Sequence, residues 1–161
     1  MAPLSTEDLT AIYRLRLRIE PDLAARSAEL CTPAWVEQLN RDLEESRNED
    51  PDRAWQGHYD FHERLVSPAA SSWDLRLLHT LWTAAERYTL LVFDPIVVDA
   101  AERERRHARH QRLLDRAAAG DSAGVEAELV THLEANEHEI VHRIEPILHR
   151  SDQPGAVATD Q

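Results

Sequence analysis

The sequence contains no lysine: all 18 of its basic residues are arginine. Schiff-base chemistry and a lysine general base are therefore excluded. Glycine is scarce as well, with four in 161 residues, at positions 57, 120, 124 and 155. None are clustered, so no phosphate-cradling loop, dinucleotide fingerprint or nucleophile elbow is present. A single cysteine, Cys31, leaves no internal disulfide to form. No apolar run approaches the roughly 20 residues of a membrane span. The longest, Thr89 to Val98, is interrupted by Asp94 and Pro95. The start, Met1 through Ser5, Thr6, Glu7 and Asp8, lacks the basic-then-apolar layout of a signal peptide. A cytoplasmic protein with no membrane segment is expected. Positive charge is also in deficit, with a net charge of −12. Nucleic-acid-binding domains carry a basic footprint, so direct nucleic-acid binding by this chain is not expected.

What is present is helical. A chain of 161 residues with 42% hydrophobic content suits one globular domain. Ser5 followed by Thr6, Glu7 and Asp8 is a helix start, and Leu9, Ile12, Leu15, Ile19 and Leu23 recur at helical spacing. Thr32 and Pro33 open a second helix with Val36, Leu39 and Leu43 on its apolar face. A polar turn at Asn48 to Asp52 precedes a third helix, predicted from Arg53 to Val66. A fourth runs from Ser72 through Leu75, Leu78, Trp82 and Leu90, until Asp94 and Pro95 break it. A fifth, rich in Arg and Glu, ends at Gly120, and a sixth runs from Asp121 and Ser122 to about Leu148. These signals predict an all-α antiparallel bundle of six to seven helices over residues 1–150, with a disordered tail at 151–161.

Histidine is abundant, with nine residues. His58 and His62 stand four apart, which places both imidazoles on one helical face as a two-point chelate would require. Asp60 points elsewhere on that helix and ranks below His58 as a ligand. Spacing alone leaves the rest of any site open. His107 and His110 lie three apart on the fifth helix, and His132 sits among Leu129, Val130 and Leu133. His138 and His142 form a second four-spaced pair in a charged stretch that reads as a solvated face. His79 falls on an apolar stretch, and His149 sits near the end of the last helix.

Four segments resemble the FCD domain, the effector-binding half of GntR-type regulators of the FadR branch. Ala2 to Leu9 followed by Ile12 to Pro21 resembles the opening helix, with Arg16 and Glu20 at its characteristic arginine and glutamate. His58 to His62 is similar to the family's Asp-x-x-Phe-His. His110 to Asp121 and Ala127 to Leu133 match two later segments, the second ending in His-Leu. The resemblance covers about residues 2–148 and implies a helical bundle with a central metal pocket. Carried over, it implies His62, His110 and His132 as metal ligands, with His58 where the family commonly has Asp. Four neutral imidazoles would leave a bound divalent ion its full charge to attract an anion. Imidazole suits zinc foremost, with nickel, iron, cobalt, copper or manganese as alternatives, rather than magnesium or calcium. Arg109 stands where the family has a glutamate, which bears on how His110 is oriented. Arg16 occupies the position that faces the ligand, where a guanidinium can hold a carboxylate by two parallel hydrogen bonds. A homodimer is also implied.

The family's regulators carry a winged-helix domain ahead of this one, and the sequence starts almost where the FCD domain starts. Three readings follow. The lead reading is metal-dependent binding of a small carboxylate-bearing ligand, as in the sensing half of a regulator. The alternative is a metalloenzyme, a lyase, isomerase or hydrolase on a small organic acid, with Tyr13, Tyr59, Glu86 or His107 moving protons. The third is a binding protein that acts through a partner.

Overall fold

The computed structural model describes residues 4–92 and 100–151. Six helices make it up: α1 Thr6–Glu29, α2 Pro33–Glu45, α3 Pro51–Val66, α4 Ser72–Val92, α5 Ala100–Ala118 and α6 Ser122–Ser151. Among the described residues there is no strand, and no helix is long and apolar enough to cross a membrane. The expected break at Asp94 and Pro95 and most of the expected tail lie outside the described residues.

The helix starts follow capping chemistry. Ser5 accepts from the backbone N–H of Asp8 at 3.0 Å, and Thr32 accepts from that of Trp35 at 3.2 Å. The third helix begins at Pro51, two residues earlier than the apolar pattern suggests, because Asp50 caps it and Pro51 takes the first turn. Asp50 accepts from Asp52 N at 3.0 Å and Arg53 N at 3.4 Å. Between α5 and α6, Gly120 adopts a φ of +65°, which closes α5 with a left-handed residue. The N–H of Asp121 then reaches back to the Arg116 carbonyl at 3.0 Å.

Helix α1 runs through the middle of the bundle. It packs most extensively on α6 and also touches α3, α4 and α5, while α2 packs on α3 and α5. The core draws on Leu9, Tyr13 and Leu23 of α1, Leu39 and Leu43 of α2, and Phe61 and Leu65 of α3. From α6 come Val125, Leu129, Leu133, Ile140 and Ile144, each at most 1% exposed. The buried stripe of α1 differs from the apolar spacing of the sequence. It runs Leu9, Tyr13, Arg16, Glu20 and Leu23, while Leu15 is 41% exposed. Two charged residues thus occupy core positions, and they are partners.

Two close approaches set the frame for the site. Ser27 ties α1 to the end of α3, donating from Oγ to the Val66 carbonyl at 3.0 Å. Gly57 lets α3 lie directly on the end of α2: a Cβ there would stand 2.6 Å from the backbone nitrogen of Ser46.

Candidate metal centre and ligand pocket

The arginine and glutamate of the α1 stripe define one wall of the pocket. Arg16 is 7% exposed and Glu20 fully buried. The guanidinium donates from Nε to Glu20 Oε1 at 2.5 Å and from Nη2 to Oε2 at 3.3 Å. Glu20 Oε1 also accepts from Trp82 Nε1 of α4 at 2.9 Å. The Arg16 guanidinium lies 4.8 Å from the centre of the Tyr13 ring. Burial of two charges is costly unless each is paired and hydrogen-bonded, and this fork meets both conditions.

Four histidines meet beside that wall. Helix α3 brings His58 and His62 from one face, α5 brings His110 and α6 brings His132. Ring centroids are 4.8 Å apart for His58–His62 and for His58–His110. They are 5.2 Å apart for His62–His110 and for His62–His132, and 4.6 Å for His110–His132. Ligand atoms of His58, His62 and His110 all lie within 4.8 Å of one another, so these three can hold a metal ion between them. His132 packs against them outside that group of three. Phe61, fully buried, supports the cluster with its ring 5.8 Å from His62 and 5.4 Å from His110.

Hydrogen bonding decides which nitrogens are available. His110 Nδ1 lies 2.7 Å from the backbone carbonyl of Arg106. A carbonyl only accepts, so Nδ1 carries the proton and Nε2 of the neutral ring presents its lone pair. That Nε2 lies 3.1 Å from His62 Nε2. Two nitrogens each about 2.0–2.1 Å from one ion stand about 2.8–3.4 Å apart between octahedral and tetrahedral angles, so the observed spacing suits shared coordination. His132 Nε2 meets Asn136 Nδ2 at 3.2 Å, and its buried Nδ1 has no hydrogen-bond partner among the described residues.

The rings are kept neutral, as ligation requires. Burial, then the charges of Arg16 and Arg106, lowers His62 to about 3. Burial is also the first cause that holds His58, His110 and His132 well below the usual imidazole value, with neighbouring histidines next. Both the donor set and the orphaned Nδ1 of His132 fit a divalent transition metal.

Next to the cluster lies a cavity of about 50 Å³, bordered by Arg16, His58, His62, Tyr59 and Trp82. Tyr13 also lines it, and burial raises its phenol above the ordinary value, so it stays protonated as a donor. Glu86, Thr89, Arg106 and Asn136 add further polar groups to the lining.

Other candidates fall elsewhere. Asp60 accepts from Gln56 Nε2 at 2.7 Å on the far side of α3. His79 meets Glu63 Oε2 at 3.2 Å, and His138 and His142 are exposed. Arg109 turns to Glu139 of α6, Nη1 to Oε2 3.7 Å, and the orientation of His110 comes from the Arg106 backbone instead. The sequence reading missed Arg106, Trp82 and Asn136 as pocket residues. Trp82 stood there only as a core position of α4, and Arg106 stands one helical turn before His110.

A comparison with protein families matches residues 11–135 to the FCD domain. A comparison with curated proteins gives no match.

Proposed function

We propose, given that this chain belongs to the FCD domain family, that it binds a small carboxylate-bearing ligand through a divalent transition metal. FCD domains bind small-molecule effectors, and family membership makes this chain a ligand-sensing regulatory domain. The metal and the carboxylate are our own extension. The observation that carries them is the convergence of neutral, buried imidazoles from three helices around the His62–His110 spacing of 3.1 Å. In this reading His58, His62, His110 and His132 hold the ion, zinc foremost. The ion supplies a Lewis-acidic positive charge that a carboxylate oxygen can occupy.

Each protein group has a task in this reading. Arg16 borders the cavity and offers its guanidinium to the carboxylate, while Glu20 keeps the side chain in place through Nε and Nη2. Glu20 offsets the charge of Arg16, so the anion is drawn mainly by the ion on its uncharged ligand set. Tyr13 donates from its protonated hydroxyl. Trp82 and Tyr59, with ring centroids 5.4 Å apart, close the apolar side. The resemblance also implies a homodimer. Trp73, 74% exposed, and Leu77, 45% exposed, stand one turn apart on α4 as large apolar side chains with little cover within one chain.

The test is elemental analysis of the purified protein beside His58→Ala, His62→Ala and His110→Ala. Wild type is expected to carry about one transition-metal ion per chain, with occupancy lost or sharply reduced in each variant. A wild type that stays metal-free after incubation with zinc, nickel and cobalt salts sinks the metal centre. Mass analysis of the acids recovered after incubation distinguishes a ligand from a substrate.

A further inference from the structure

The histidine cluster faces two spaces. The inner cavity, about 50 Å³, borders His58 and His62. On the other side, a cleft of about 530 Å³ opens between the α2–α3 turn and α5, and His58 and His110 form part of its wall. Trp55, His58 and Arg106 belong to both linings and divide the two spaces. A single water needs about 10–15 Å³, so the inner cavity has room for one small group. Ligand pockets for whole organic molecules run to about 300–1,000 Å³, the range of the cleft. The histidine cluster faces the cleft through His58 and His110, so a ligand longer than its metal-bound carboxylate has room there.

The cleft is basic in a strongly acidic molecule. Arg47 lines it from the α2–α3 turn, and Arg103, Arg106 and His107 line it from α5, against Glu49 and Glu104. The chain as a whole carries −12, so this lining of three arginines against two glutamates is a local reversal of sign. The Nδ1 of His107 is buried and has no hydrogen-bond partner among the described residues. Arg47 Nη2 reaches Glu104 Oε2 at 3.3 Å, so an exposed ion pair joins the two walls. Such a pair contributes little to stability and is readily exchanged for another anion.

We infer that the cleft is a second anion subsite and that the ligand is a dicarboxylic acid. One carboxylate sits at the histidine cluster and the other on Arg47 and the arginines of α5. This rests on the carboxylate reading above and adds the far half of the ligand. An incoming carboxylate takes the place of Glu104 on Arg47, and His107 Nδ1 gains a partner.

The test is calorimetric titration of the zinc-loaded full chain with butyrate and with the straight-chain dicarboxylates from succinate to adipate. At least one dicarboxylate is expected to bind about tenfold tighter than butyrate. Arg47→Gln is expected to abolish that preference and leave butyrate binding unchanged. Glu104→Gln, which removes the competing carboxylate, is expected to strengthen dicarboxylate binding. Butyrate binding with no dicarboxylate preference, or a preference that survives in the Arg47→Gln/His107→Gln double variant, overturns the subsite and leaves the carboxylate reading standing. Binding of neither class overturns both.

Discussion

Arg16 and Glu20 form an ion pair in which both side chains are buried. Glu20 is fully buried, and its described partners are Arg16 and the indole of Trp82. Truncating one member of a buried pair leaves the other charge uncompensated, which costs about 3–5 kcal/mol. Arg16→Ala is therefore expected to lower the unfolding free energy, measured by urea titration, by an amount of that order. Adding Glu20→Gln should recover part of the loss, because a neutral amide is cheaper to bury. An Arg16→Ala protein as stable as wild type would contradict the structural role of the fork. Ligand affinity in that variant has to be measured on the folded fraction, since Arg16 serves both the frame and the pocket.

At the scale of elements, α3 is the critical piece, because it contributes two imidazoles and must lie close against α2. Helix propensity alone favours alanine over glycine by about 1 kcal/mol in a helix interior. At Gly57 the packing reverses that sign. A Cβ would stand 2.6 Å from Ser46 N and 2.7 Å from the Glu45 carbonyl carbon, and backbone cannot move aside cheaply. Gly57→Ala is expected to lower stability by about 1–3 kcal/mol, the usual cost of overpacking, and to displace His58. Thermal unfolding checks the first, and metal occupancy checks the second. A gain in melting temperature would mean that propensity outweighs the contact. Helix α1 teaches the complementary lesson. Its apolar letters at Leu9, Ile12, Leu15, Ile19 and Leu23 suggested one stripe, yet Arg16 and Glu20 lie inside the buried one. A hydrophobicity pattern cannot anticipate two opposite charges that cancel one turn apart.

For the molecule as a whole, burying His62, His110 and His132 and half-burying His58 couples folding to pH. His62 is lowered to about 3 by burial, while the unfolded chain titrates near the ordinary 6.5. Between those values the unfolded state binds more protons than the folded state, so stability falls as pH drops below about 6.5. From about pH 7.5 to about 5.5, His62 alone costs about 1.4 kcal/mol, since one pKa unit corresponds to about that energy. His58, His110 and His132 act in the same direction. The expected result is a urea midpoint that falls over this range in chelator-treated protein. His62→Ala should flatten the slope. A midpoint independent of pH across that window would mean that these rings are not held neutral.

The sequence by itself determined the helical class and the starts of α1, α2, α4 and α6, because caps at Ser5 and Thr32, the left-handed turn at Gly120 and apolar periodicity are local properties. It also carried the family resemblance, since segment spacing survives in one dimension. Placement of the histidines was decided elsewhere. His62 and His110 are 48 positions apart, and only the packing of α3 against the rest of the bundle brings their Nε2 atoms to 3.1 Å. The tertiary structure likewise buried the Arg16–Glu20 fork beneath the indole of Trp82 and sent Arg109 to Glu139. The cleft beside Arg47 and His107 joins the α2–α3 turn to α5, so no stretch of chain contains it. Caps and periodicity act over one or two turns of helix. Burial, pairing and cavity shape depend on which surfaces meet, and that is set only when the helices pack.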